Sequence, residues 1–309
     1  MLTLLAAVAL LQEEGANYQH LKRIEWMIGS WGGQGKMAGV GDYEDEFVYE
    51  WTMRKNFIKG TYVIRAGGKI VWTDTGLIGW DADKKKIFGA NFGMDGTIGW
   101  GHEEECGDAF YVVAGRTAGP VVREDFRFRV DRIDADHLRL TVEMKQDGRD
   151  TKHVQEYARK KVELPAAPEN ADARYHEKHL KRLEGLVGKW SGKGESPQGV
   201  FAIDYSFEWA LNRNFIVKNV TATAMGQVAW SAVEWIGWDV DKRKIVAVTF
   251  GFDGSLSVAH ATDAADALVL EGMARTTLKA AGGKLDVLIE RKDGERWVTD
   301  RKIAAELRK

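Results

Sequence analysis

The sequence predicts an all-β protein of two tandem antiparallel up-and-down barrels, each preceded by a short helix. Three observations carry this. The chain repeats itself: His20-Leu21-Lys22-Arg23-Ile24-Glu25 recurs as His179-Leu180-Lys181-Arg182-Leu183-Glu184, and Asn56–His102 matches Asn214–His260 without a gap, 19 of 47 positions being identical. Within each copy, aromatic and aliphatic residues alternate with polar ones at period two, as in Phe47, Tyr49, Trp51 and Phe201, Ile203, Tyr205, Phe207, Trp209. Turn dipeptides punctuate these runs, and a sheet so rich in one-sided aromatics must close on itself or pair with other chains.

The elements follow in chain order. Residues 1–16 hold a short apolar run, Leu2 to Leu11, with a small-x-small Ala7-Val8-Ala9. It is too short to cross a bilayer and has the form of a secretory signal, so a secreted or periplasmic protein is expected, with a frayed N-terminus in a cytoplasmic one as the alternative. The first barrel is assigned to 17–163, a linker to 164–175 and the second barrel to 176–309. Two of the four prolines, Pro165 and Pro168, fall in that linker and favour an extended course. Leu180, Leu183, Leu186 and Val187 recur at helical spacing, with Gly188 as the stop. Hairpin turns are expected at Gly67-Gly68, Asp95-Gly96, Asp147-Gly148, Asp253-Gly254 and Asp293-Gly294, and a polar turn at Asp81-Ala82-Asp83-Lys84.

Composition narrows the function. Lys and Arg total 44 against 46 Asp and Glu, which argues against a nucleic-acid partner and a polybasic membrane binder. Cys106 is the single cysteine, so an intrachain disulfide and a multi-cysteine metal site are excluded. No catalytic set and no metal site is expected. His102-Glu103-Glu104-Glu105-Cys106 does not have the His-Glu-x-x-His form and reads as an exposed acidic turn. Asp81-x-Asp83 lacks the rest of a calcium loop, and Gly33-x-Gly35 follows a helix rather than a strand.

Gly29-Ser30-Trp31 and Gly188-Lys189-Trp190, each just after a short helix, resemble the Gly-x-Trp signature of the lipocalin and calycin superfamily. The resemblance implies that Trp31 and Trp190 plug the closed ends. It also implies that a late basic residue, Arg159 or Arg301, packs over each. Leu183-x-x-Leu186-x-Gly188-x-Trp190-x-Gly192-x-Gly194, with the later Gly-Trp-Asp and Phe-x-x-Asp-Gly, is similar to a bacterial family of unknown function with lipocalin-like domains, sometimes duplicated. The opening is more distantly similar to nitrobindin, a haem-binding calycin whose ligating histidine lies on a late strand. Here the late strands offer His153 in the first unit and no histidine after His260 in the second.

Candidate ligand-binding residues are His102, His260, Trp51, Trp209, Trp72, Trp230, Trp100, Asn56 and Asn214. His102 and His260 occupy equivalent positions and share a strand face with Ile98 and Trp100, or with Leu256 and Val258. If that bulky face points inward, each barrel holds one pocket histidine; the alternative is an imidazole bonded to a neighbouring acid. The paired tryptophans are aromatic pocket walls or core packing. Asn56 and Asn214 orient a ligand or serve as turn residues. Trp100 is replaced by Val258, so two pockets would differ.

The expected function is the binding of a small, largely apolar molecule in one or both barrels, without nucleic acid, membrane insertion or a resident cofactor. The nitrobindin resemblance brings in haem as an alternative. A haem-dependent or histidine-based enzyme (isomerase or hydrolase) in the same pocket, or a structural module with filled barrels, are the other readings.

Overall fold

The computed structural model describes residues 14–37, 41–120, 123–146, 149–162, 164, 173–262, 264 and 266–308. The apolar leader, most of the 164–175 linker and the Asp147-Gly148 turn lie outside the described residues. The chain divides into two compact units, Met1–Glu169 and Asn170–Lys309.

In the first unit α1 (Tyr18–Leu21) continues as a 3-10 turn (Lys22–Met27). Then come β1 (Gly29–Met37), β2 (Gly41–Thr52), β3 (Phe57–Ala66), β4 (Lys69–Asp81) and β5 (Lys86–Gly93). They are followed by β6 (Ile98–Gly107), β7 (Phe110–Ala118), β8 (Arg123–Arg132), β9 (His137–Gln146) and β10 (Arg149–Arg159). The second unit repeats the plan. Helix α2 (Glu177–Leu180) and its 3-10 turn (Lys181–Leu186) lead into β11 (Gly188–Ser196), β12 (Gly199–Ala210), β13 (Phe215–Ala224), β14 (Gln227–Asp239) and β15 (Lys244–Gly251). The last five are β16 (Leu256–Thr262), β17 (Leu268–Glu271), β18 (Ala274–Ala281), β19 (Lys284–Asp293) and β20 (Arg296–Leu307).

Each set of ten antiparallel strands closes into a barrel in chain order, with β10 returning to β1 and β20 to β11. Closure leaves no sheet edge to template pairing with another chain. Period-two patterning sets which side faces in. In β2, Tyr43, Asp45 and Phe47 are buried while Asp42, Glu44 and Glu50 are exposed. In β12, Ile203, Tyr205 and Phe207 are buried while Ala202 and Asp204 are exposed. Following the registers around each sheet from these residues identifies the inward position on every strand.

The turns depart from expectation in an instructive way. Gly67-Gly68 has positive φ at both residues (56° and 75°), as a type I′ turn needs. At Asp95-Gly96, Asp253-Gly254 and Asp293-Gly294 only the glycine does. The Asp95 carboxylate instead accepts the backbone N–H (2.8 Å) and hydroxyl (2.9 Å) of Thr97, and Asp253 does the same for Ser255. These are side-chain-stabilised turns. Gly188 is not a helix cap: Val187 is, and Gly188 opens β11 at φ 138°. The acidic run Glu103–Glu105 is not a turn either. It lies inside β6, where a bulge between Glu103 and Glu105 absorbs the extra residue.

Between β2 and β3 the chain passes through Met53, Arg54 and Lys55, all at positive φ (49°, 58° and 62°). Between β12 and β13 it does so through Leu211, Asn212 and Arg213 (48°, 58° and 60°). Three successive non-glycine residues in this region form a left-handed turn that a lone strand pair would not adopt.

Candidate functional site

The closed end of the first barrel follows the calycin expectation. The Trp31 indole N–H donates to the Met27 carbonyl (2.8 Å), and the Arg159 guanidinium lies 4.2 Å from the ring centroid. Arg159 also donates to the carbonyls of Ala135, Ile28 and Trp26 (2.8, 2.9 and 3.2 Å). In the second barrel Trp190 makes the same bond to Leu186 (2.8 Å). Arg301 does not cover it. By register Leu307 stands opposite Trp190, as Arg159 stands opposite Trp31. Arg301 lies six residues earlier, at the sheet position of His153, and pairs with Asp300 (3.1 Å). The shared Arg-Lys dipeptide misled because β20 runs on well past it.

Several candidate residues belong to this closed end. Trp51 packs edge-on against Tyr18 (centroids 5.3 Å apart), and the Trp209 indole donates to Glu184 (3.2 Å) under the Arg213 guanidinium (4.5 Å). Asn56 and Asn214 are buried anchors of the left-handed turns. Their side-chain oxygens accept the backbone N–H groups of Asn17 (2.9 Å) and His176 (2.7 Å), tying each helix entry to its barrel. His176, which the sequence reading missed, is fully buried beside Asn214, and burial pushes it down to about 3, so it is neutral.

His102, His260 and Trp100 face outward. Gly99 pairs with Asn91 and Gly101 with Gly89, and these four share the face of the core residues Ile78 and Ile87. Trp100 and His102 therefore share the other face with Ala90 and Phe88. In the second barrel Ser257 and Ala259 point in and His260 out. The alternation was read correctly, but β5 carries Phe88, Ala90 and Phe92 on its outer side, so bulk does not mark the inside. Each ring is bonded to the preceding hairpin: His102 Nε2 lies 3.1 Å from Asp81 Oδ2, and His260 Nε2 lies 3.1 Å from Asp239 Oδ2. Lys84 and Lys242 approach the same nitrogens at 3.1 and 3.2 Å. Burial would raise Asp81, but the Lys84 backbone N–H, the His102 ring and the Lys84 charge together hold it below its usual value.

The first barrel's interior contains a polar, aromatic lumen that the sequence reading did not pick out. Asp45, buried, accepts the hydroxyls of Tyr62 (2.8 Å) and Tyr157 (2.7 Å) on Oδ2, while its buried Oδ1 has no partner. Tyr62 is also directly opposite Asp74 across β3 and β4. Asp74 accepts the Trp72 indole N–H (3.0 Å). Burial pushes the Asp74 carboxyl up to about 6, against the lowering effect of the Trp72 N–H and with a further push from the Asp95 charge. Burial also raises the Tyr49, Tyr62 and Tyr157 phenols far above their ordinary value, so they remain protonated donors. Trp72 is thus the one first-barrel candidate that lies in this lumen.

Matched inward positions show how differently the two interiors are filled. Gly60, Tyr62, Ile64, Asp74, Gly76, Ile78 and Gly89 are half-buried, whereas Lys218, Val220, Ala222, Ala232, Glu234, Ile236 and Ala247 are buried. Open space adjoins the middle of the first barrel's wall, where a Cβ built on Gly89 would meet nothing within 4 Å. In the second barrel the counterparts of Gly60 and Gly76 are Lys218 and Glu234, which pair at 2.8 Å, with Thr249 donating to Glu234 (2.6 Å). That ion pair and a continuous core of aliphatic and aromatic side chains fill the interior. Trp230 points into it beside Ala222.

A cleft of about 520 Å³ lies at the first barrel's end remote from Trp31, lined by residues that include Gly35, Tyr43, Glu44 and Arg65. Another, of about 620 Å³, lies along β11 and β18 to β20 of the second, among Lys193, Lys279 and Lys302. Among the described residues no group of three or more His, Cys, Asp or Glu side chains could hold a metal, and no helix is long and apolar enough to cross a membrane. Haem does not fit the residues present. His153 is at an inward register position on β10 but is exposed, and its Nε2 is engaged by the Tyr43 hydroxyl (3.1 Å). Beside it lie the hydrogen-bonded Gln155, Tyr157 and Asp45 rather than an apolar slot.

No family model matches the chain, and no curated protein matches it. Among solved structures it is similar to Rv2717c from M. tuberculosis, at 22% identity over 46% of this chain and 97% of that one, with a TM-score of 0.36. It is also similar to a protein of unknown function of the DUF3598 family from Nostoc punctiforme PCC 73102, at 11% identity over 93% of this chain and 98% of that one, with a TM-score of 0.27. The first of these spans the length of one unit of this chain; the second spans nearly both.

Proposed function

We propose that the protein binds a small, largely apolar molecule inside its first barrel, and that the second barrel is a filled scaffold. One observation carries the reading: the half-buried inward wall around Gly89, set against the buried wall at the matching positions of the second unit. A concave, mostly aromatic space with a few converging polar groups is the usual form of a small-molecule site. Tyr49, Tyr62 and Trp72 supply the apolar surface, and Asp74 and Asp45 the orientation. The histidine-based enzyme loses its support with His102 and His260 outside the lumen.

The test is tryptophan emission titrated with lipids, tetrapyrroles and small aromatics, in the wild type and in Gly89→Leu. The leucine side chain projects into the open space beside Gly89. Saturable quenching in the wild type that disappears in Gly89→Leu is the expected result. Silence across the panel, or quenching that the substitution leaves intact, refutes the reading.

A further inference from the structure

We propose that the ligand of the first barrel is a small organic cation, an amine carried on an aromatic or aliphatic body. This rests on the pocket reading above and adds the charge of the occupant. The lumen holds two carboxyl groups, Asp45 and Asp74, joined through Tyr62, which is bonded to the first and faces the second across the sheet. Apart from Arg159, which covers the closed end, the basic residues at inward register positions, Lys69, Arg132 and Arg149, stand at strand ends, and among the described residues no lysine or arginine pairs with Asp45 or Asp74. Asp45 Oδ1 is buried with no donor, a state that is costly unless something supplies one.

The second barrel shows how the same fold disposes of an internal acid when no ligand is to come. Its mid-wall carboxylate, Glu234, is neutralised across the strand pair by Lys218. The counterparts of Asp45 and Asp74 there are Ile203 and Ala232. Around Tyr62 the first barrel therefore keeps two acids without a paired base, and at mid-wall the second keeps an acid with one. An ammonium group entering the first lumen would take the place of that missing base. It would donate to the carboxylates while the ring faces of Tyr49, Tyr62 and Trp72 receive its charge and its apolar body.

The experiment is calorimetric titration of the full-length protein at pH 8 with matched amines, alcohols and carboxylates on phenylethyl and n-octyl bodies. The amine of at least one series should bind at least tenfold more tightly than its alcohol and its carboxylate. Asp74→Asn should erase that preference and leave the alcohol's affinity within threefold; Asp45→Asn serves as the independent second variant. Equal or tighter binding of the alcohol or carboxylate overturns the proposal while leaving the pocket intact. So does an amine preference that survives both variants. No heat from any of the probes also overturns it, and the pocket reading falls with it only if the wider emission panel is silent as well.

Discussion

Replacing Asp74 with Asn should make the first barrel more stable at neutral pH and leave it nearly unchanged in acid. The carboxyl's value moves from an ordinary 3.8 to about 6 on folding. A folded-state value raised above the unfolded one means that the native state holds the proton more tightly. Stability is then full below pH 3.8 and falls as pH rises to about 6. At about 1.4 kcal/mol per pH unit, the ionised group costs the fold up to about 3 kcal/mol above pH 6. Asparagine keeps the size and the acceptor for the Trp72 indole N–H without the charge. At about 2–4 °C per kcal/mol for a unit of this size, the first barrel's melting midpoint should rise by up to about 10 °C at pH 8. Melting followed by near-UV circular dichroism at pH 8 and pH 3.5 gives the two differences. A variant that is equally or less stable at pH 8, or whose gain is as large at pH 3.5, would show that Asp74 is not held uphill by its surroundings.

Further tests concern the second barrel and the two closed ends. Lys218→Met should cost about 3–5 kcal/mol by stranding Glu234 in a filled interior, and Lys218→Met with Glu234→Leu should recover most of it; urea unfolding of both variants decides this. Arg159→Ala should destabilise the first barrel by about 2–3 kcal/mol, because it removes three charged hydrogen bonds to backbone and the contact with Trp31. Arg301→Ala should cost less than about 1 kcal/mol in the second, since its partner Asp300 is its sequence neighbour. Comparable losses for the two arginines in thermal melts would reject the assignment of different closures.

The barrels, their short helices and most turns were legible because they depend on local signals: period-two alternation, glycine turns and a repeated Gly-x-Trp. The lumen was less legible. Choosing the inward face of β6 by bulk put His102 and Trp100 inside, whereas the face is set by register through β4 and β5 back to Phe47, a non-local property. The contrast between the two interiors could have been read from the gap-free repeat. Against Gly60 and Gly76 the second copy has Lys218 and Glu234, a base and an acid opposed on strands that the alternation already placed side by side. Asp45 and Asp74 stood in the same comparison against Ile203 and Ala232. What no pattern could supply is the bonding of Asp45 to Tyr157, 112 residues away, which exists only once the last strand returns to the first.

The left-handed turns after β2 and β12 show what the two copies hold in common. Met53-Arg54-Lys55 and Leu211-Asn212-Arg213 have no residue in common at matched positions, yet they trace the same unfavourable backbone path, at about 1–2 kcal/mol for each residue so placed. The buried asparagine that follows is the same in both, and in both it grips the incoming helix. What the two copies share at this point is a course of the main chain and one amide to fasten it. The letters in between differ at all three positions, and neither copy relaxes the coil with a glycine.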